Sequence, residues 1–228
     1  VTKQFTAVAI LKLREDGKLR VSDKLTKFFP AFPRGGEVTL HHLLSHTSGI
    51  HSYTSDPGFI EGVTAPVKAA DLVEKISKAP FDFDPGERLN YSNSGYFLLG
   101  LIVEKASGRS YGEYLQEKLF KPLGMTHTRF YDDPNAIIQD QALGYSPRRD
   151  GGYRLDILRS EVIGDLGVIT TIEDFLHWDN NFYENKLGAG TSDLITTMFT
   201  RGRTSTGEEL SYALGLEFDS YRGLKTMG

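Results

Sequence analysis

Lys3, near the start of "VTKQFTAVAILKL", is the residue of this sequence whose position most needs a chemical reason. It falls in the first turn of a segment that reads as a buried helix, where an ammonium is costly unless oxygen partners meet it. The stretch "NYSN", Asn90 to Asn93, offers such partners. Tyr91 and Asn93 stand two residues apart at the mouth of a second apolar helix, so a phenolic oxygen and an amide can enter one cleft. A lysine with a Tyr hydroxyl and an Asn amide is a set of groups that activates a serine placed one helical turn before the lysine. No lysine within the chain has a Ser, Thr or Cys three residues before it, so the nucleophile of such a site is expected immediately before Val1. Taken alone, Tyr-x-Asn is a weak signal, because an Asn at a helix start serves equally well as a cap.

The histidines invite a different chemistry. His42 and His46 stand at i, i+4, the spacing that aims two imidazoles at one ion, with His41 and His51 nearby. A zinc hydrolase pattern needs Glu directly after the first His, and Leu43 is there instead. Glu37 and Asp56 are the nearest carboxylates and have no recommending spacing. A structural role is therefore expected for these histidines, with no metal and no cofactor; a histidine-ligated metal hydrolase is the weakest reading.

Composition narrows the partners. With 228 residues, 39% hydrophobic and 25% charged, the chain can bury a large core and falls in the soluble globular class. The net charge of −4 supplies no basic field for phosphates, so nucleic acid is not an expected partner. Zero cysteines exclude disulfides, thiolate metal sites and a cysteine nucleophile. The apolar run from Ala7 to Leu11 is too short to span a membrane.

The elements that must position these groups can be read from periodicity and punctuation. Residues 4 to 14 form the first helix, ended by Gly17. Ser22 is expected to cap a short helix before Pro30, and Thr39 a second one running through "LHHLLSH" to Gly49. Residues 50 to 66 read as irregular surface. A helix spans about Ala69 to Lys78, and "NYSNSGYFLLGLIVEKASG" delivers an apolar helix ending at Gly108. Ser110 with Glu113 forms a capping box for a helix that Pro122 should stop, and Thr171 with Asp174 opens another. Strand signals concentrate late: "ALGYSP" and "YRLDIL" flank a turn at Asp150-Gly151-Gly152, and "YALGLEF" meets "YRGLKTMG" across Asp219-Ser220.

Four separated stretches, "VTKQFTAVAILKLREDGKL", "VTLHHLLSHTSGI", "PGERLNYSNSGYFLLGLIVEKASGRSYGEYLQEKLFKPLGMTHTRF" and "GDLGVITTIEDFLHW", resemble the serine β-lactamase-related superfamily in order and over essentially the whole chain. That group includes class C β-lactamases, D-alanyl-D-alanine carboxypeptidases, D-aminopeptidases and esterases. The resemblance implies an α+β, β-lactamase/penicillin-binding-protein-like fold, a helical subdomain plus an antiparallel sheet flanked by helices. One domain over 1–228 is expected, incomplete at both ends: roughly 1–200 mainly helical, and 201–228 the first strands of the returning sheet.

In the family's first motif, Ser-x-x-Lys, Lys3 takes the lysine position, and Tyr91-Ser92-Asn93 matches its Tyr-x-Asn motif. His46 to Gly49 match an "HTSG" segment that shapes the scaffold. Lys225-Thr226 is followed by Met227, so a Lys-Thr-Gly third motif fails, and a His-Gly type is expected beyond Gly228.

The implied function is a serine hydrolase working through a covalent acyl-enzyme on an amide or ester, whether D-amino-acid peptide, ester or β-lactam. Lys3 would ease serine deprotonation and depress the Tyr91 pKa; Tyr91 would be general base and acid; Asn93 would hold Lys3 and substrate. Gly164, Gly167 and Val168 are expected to line the substrate cleft as close-approach backbone, with Tyr53, Phe59 or Tyr145 near it. Partners would be small-molecule or peptidoglycan-like substrates, and the location the bacterial cell envelope or outside it. The chain by itself, lacking the nucleophile, is expected to be inactive. The alternative is a catalytically inactive penicillin-binding-like scaffold acting as a binding or regulatory module, which requires that the residue before Val1 is not Ser.

Overall fold

Helix α1 (Thr2–Glu15) is buried on every side from Thr2 to Leu11, as its nearly continuous apolar run demands. The computed structural model describes residues 1–56, 67–131, 133, 136–156, 162–188 and 193–228. The polar side chains of the first turns of α1 are matched one by one. Thr2 Oγ1 accepts the Val168 N–H at 3.2 Å, and Gln4 Oε1 accepts the Trp178 indole N–H at 2.8 Å. Thr6 Oγ1 donates to the Gly164 carbonyl at 2.5 Å and lies 2.6 Å from the Tyr111 hydroxyl. Each bond removes a desolvation cost that an unmatched buried group would carry. Gly17, at φ +70°, ends the helix as expected.

Around α1 pack α4 (Asn93–Ser107), α5 (Tyr111–Leu115) and α8 (Asp193–Phe199). Phe5 meets Phe120 edge-on at 5.2 Å and Trp178 of α7 (Ile172–Glu184) at 4.4 Å. All three rings are completely buried, worth about 1.5–3 kcal/mol for a ring the size of Phe. Gly100 lets α4 approach the 162–167 loop: a Cβ there would lie 3.0 Å from the Gly164 Cα. Helix α3 (Ala69–Lys78) covers the far side with Leu72 and Ile76.

Several boundaries differ from the sequence-based expectation. Ser22 caps nothing: Lys24 precedes the 3₁₀ turn Leu25–Lys27, and Asp23 takes the turn bond by accepting the Arg20 N–H at 2.8 Å. Thr39 does cap α2 (Leu40–Leu44), through a reciprocal pair in which His42 Nδ1 accepts the Thr39 N–H. That helix stops at Leu44, not Gly49, because His46 adopts φ +57°, which no right-handed helix accommodates. His42 and His46 therefore share no helix face. The 50–66 segment is not all surface: Tyr53, in the 3₁₀ turn Tyr53–Ser55, is buried, and 57–66 lie outside the described residues.

Ser110 and Glu113 form their capping box. Pro122 does not stop the helix, which continues through a π turn Gln116–Phe120 into α6 (Lys121–Leu123) and ends at Gly124, φ +77°. The wider π turn shifts the carbonyls that a proline ring would otherwise meet. Thr171 caps α7 by accepting the Asp174 N–H at 3.2 Å.

Among the described residues the strands form three antiparallel pairs. β1 (Arg129–Phe130) pairs with β4 (Val168–Ile169), and β2 (Gly144–Pro147) with β3 (Tyr153–Asp156) around the expected Asp150-Gly151-Gly152 turn. β5 (Phe218–Tyr221) pairs with β6 (Leu224–Met227), so Asp219 and Ser220 lie within a strand. The turn falls at Arg222-Gly223 instead, where both residues take positive φ and glycine makes that inexpensive. The first 200 residues thus hold two of the strand pairs. The architecture is α+β.

Candidate active site

Three segments converge on the Lys3 ammonium. It donates to Asn93 Oδ1 at 2.6 Å and to the Asp165 carbonyl at 3.1 Å, and sits 4.8 Å from the centre of the Tyr91 ring and 5.6 Å from that of Tyr96. Lys3 is 8% exposed, so these oxygens and ring faces replace most of its water. Asn93 is the first residue of α4 and does not cap it; its own backbone N–H is accepted by Ser52 Oγ from another segment at 3.1 Å. Its amide is oriented instead, with Nδ2 donating to Thr54 Oγ1 at 2.9 Å, which leaves Oδ1 for Lys3.

Tyr91 is brought to the same place, but not as expected. The ammonium lies over its ring face, and no hydrogen bond joins the hydroxyl to Lys3 among the described residues. The phenol is pushed up rather than depressed, by burial first and then by Asp165 and Glu217. Lys3 itself is pushed down to about 8 by burial, with Asp165 pulling it back. At pH 7 roughly a tenth of Lys3 is then unprotonated, whereas Tyr91 keeps its proton. Of the two groups, the amine gives up its proton the more readily at neutral pH.

His46 underlies this arrangement. Its Nδ1 accepts the Ser92 N–H at 3.1 Å, between the two motif residues, and its ring lies 4.3 Å from Tyr91 and 4.6 Å from Tyr212. Burial holds its pKa down to about 3, so the ring is neutral. The neutral imidazole shapes the Tyr91-Asn93 corner, the structural role expected of it. Among the described residues no group of three or more potential ligands could hold a metal ion.

The expected cleft residues divide. Gly164, at φ +88°, makes its close approach to the protein itself: a Cβ there would overlap the Tyr96 carbonyl. Gly167, at φ +100°, is likewise held against the Phe130 ring. Val168 does face open space, in a cleft of about 770 Å³ beside the start of α1 that Val1, His127, Arg129 and Thr170 also line. Tyr145 is exposed on β2 away from these contacts, and Phe59 lies outside the described residues. Lys225 and Thr226 project from β6 with exposed side chains.

Three contributors were not singled out in the sequence as site residues: Ser52, Thr54 and Asp165. Asp165 sits inside "GDLGV", between two glycines that were noted, and a carboxylate in so apolar a stretch was the available signal. It is buried, its Oδ2 accepts the Tyr53 hydroxyl at 2.5 Å, and burial raises it to about 6.

A lysine one turn into a buried helix, seated on the Asn of a Tyr-x-Asn corner, is the arrangement that the four matching stretches implied. The family model described as Beta-lactamase matches residues 1–227. The chain belongs to the beta-lactamase family. It is 31% identical over 232 residues to penicillin-binding protein 4* of Bacillus subtilis, covering 94% of this chain and 50% of that protein. Solved relatives include a D-stereospecific amidohydrolase from Streptomyces sp., at TM-score 0.85 and 29% identity over 100% of this chain and 72% of that one. Another is an octameric penicillin-binding protein homologue from Pyrococcus abyssi, at TM-score 0.83 and 32% identity over 99% and 54%. The fold is thus that of the β-lactamase and penicillin-binding-protein group of this family. The chain spans about half the length of the curated relatives it matches.

Proposed function

We propose that the whole protein is a serine hydrolase that transfers an acyl group through a covalent serine ester, with the nucleophile in the residue before Val1. The observation that carries this is the buried Lys3 ammonium held at 2.6 Å by Asn93 Oδ1, one helical turn from that position. The serine Oγ attacks the substrate carbonyl while its proton passes to the neutral Lys3 amine. The tetrahedral intermediate collapses when the leaving amine or alcohol takes a proton, for which the neutral Tyr91 phenol is placed. Water then hydrolyses the ester by the reverse sequence. The positive end of the α1 dipole would favour an oxyanion developing beside that serine.

The substrate class we favour is an amide or ester of a D-amino acid, since solved relatives include a D-stereospecific amidohydrolase. Curated relatives include two penicillin-binding proteins of Bacillus subtilis, one of them named as putative, which supports a peptidoglycan-like substrate and a place in the cell envelope. No helix among the described residues is long and apolar enough to cross a membrane.

The test is a protein extended upstream through its native preceding residues, incubated with a chromogenic β-lactam, a D-amino-acid amide and a short-chain ester. A mass increase on the serine before Val1, with turnover of at least one compound, is expected. A residue other than Ser at that position, or no adduct and no turnover, overturns the proposal and leaves the binding-module reading. Purified 1–228 is expected to show neither.

A further inference from the structure

Lys3 donates to Asn93 Oδ1 and to the Asp165 carbonyl; of two loops distant in sequence, one orients Asn93 and the other supplies that carbonyl, and one buried side-chain bond ties them together. The first loop carries Ser52 and Thr54, whose hydroxyls accept the Asn93 backbone N–H at 3.1 Å and its amide N–H at 2.9 Å. The second carries Asp165, whose carbonyl accepts from Lys3 at 3.1 Å, and Gly164, whose carbonyl accepts from Thr6 of α1. Tyr53, between Ser52 and Thr54, donates its hydroxyl across the gap to Asp165 Oδ2 at 2.5 Å.

We propose that Asp165 and Tyr53 are positioning residues for Lys3: their hydrogen bond clamps the loop that orients Asn93 to the loop whose carbonyl accepts from the ammonium, and the Asp165 carboxylate is its counter-charge. Asp165 meets Lys3 through its backbone carbonyl, and Tyr53 acts on the ammonium through Asp165. Asp165 is 6% exposed and Tyr53 2%, so the bond is made in a dry setting where a charge has few other means of support. The groups facing the Asp165 carboxylate are Lys3 of α1, Tyr53, Tyr91 ahead of α4 and Tyr111 of α5. Lys3 is the cation of this set, so the two opposite charges hold each other in place. Burial raises the carboxyl and lowers the amine, and each acts on the other in the opposing direction.

This inference deepens the proposed function, and its central test does not depend on turnover. In purified 1–228, the pH titration of Lys3 is followed by NMR of lysine labelled at Cε and assigned by comparison with Lys3→Met. In Asp165→Asn the midpoint of Lys3 should fall, so that its unprotonated fraction at pH 7 rises at least about threefold. In Tyr53→Phe the Asp165 carboxyl should titrate at higher pH and the Lys3 midpoint should drop in the same direction. Should Asp165→Asn fail to fold, Tyr53→Phe decides. A Lys3 midpoint unmoved in a cooperatively folded variant overturns the proposal. In the extended, serine-bearing protein the same variants should lower kcat at least about tenfold, with KM within about twofold. Absence of turnover in the unsubstituted extended protein would count against the hydrolase reading, while the Lys3 titration would still decide this one.

Discussion

Lys3 Nζ and Asn93 Oδ1, ninety positions apart in the chain, lie 2.6 Å from each other at the facing N-termini of two buried helices. A bond from a charged donor in so dry a place contributes about 1.5–3 kcal/mol. Asn93→Ala should destabilise residues 1–228 by that amount in urea melts, with an unchanged m-value, and push the Lys3 midpoint lower still. Stability equal to that of the unsubstituted chain would show that Asp165 and the ring faces suffice for the ammonium.

Tyr91 is half exposed, and among the described residues its hydroxyl makes no hydrogen bond to Lys3. Tyr91→Phe should therefore alter stability by less than about 0.5 kcal/mol. In the extended protein it should cost about 10²- to 10⁴-fold in kcat, the range of a lost proton donor. Full activity of this variant would remove Tyr91 from the mechanism.

Glycines at positive φ differ in what surrounds them. Gly17 faces open space, so Gly17→Ala carries only the left-handed backbone strain of about 1–2 kcal/mol. Gly164→Ala adds overlap with the Tyr96 carbonyl and should cost about 3 kcal/mol or more, or prevent folding. Thermal melts of the two variants side by side check the order; equal losses would mean that the 162–167 loop shifts away from α4 freely.

His51 is gripped by two carboxylates, with Nδ1 2.8 Å from Asp82 and Nε2 3.2 Å from Asp56. The Asp82 bond, first among the causes, raises its pKa above the ordinary 6.5. A group whose folded value is raised gives its full stabilisation below the unfolded value, and loses it as pH rises through the folded one. The stability difference between the unsubstituted chain and His51→Gln should therefore be largest below pH 6.5 and shrink above it. A difference that grows with pH would contradict the assignment. Because the pair is partly exposed, added salt should reduce the effect.

Much of this was legible in the residues themselves. The apolar periodicity of α1 and α4, the capping box at Ser110, the cap at Thr171 and the glycine stops at Gly17 and Gly108 are local signals, written within one or two turns of chain. So was the need of Lys3 for oxygen partners, because the cost of a buried ammonium does not depend on where they come from. Together with four ordered stretches of resemblance, these determined the family and pointed to Lys3, Tyr91 and Asn93, which the structure brings together.

The tertiary structure decided what depends on groups far apart in the chain. Tyr91 turned its ring face, not its hydroxyl, to Lys3, and its phenol moved up through burial first and then the charges of Asp165 and Glu217. Helix α2 ended at Leu44 because His46 is drawn away to accept the Ser92 N–H, and Gly164 and Gly167 serve contacts with α4 and Phe130. Ser52, Thr54 and Asp165 join the candidate site only because two loops meet across α1. Local sequence specifies which elements form, while desolvation and partner geometry, which set a side chain's charge and direction, exist only once those elements are packed together.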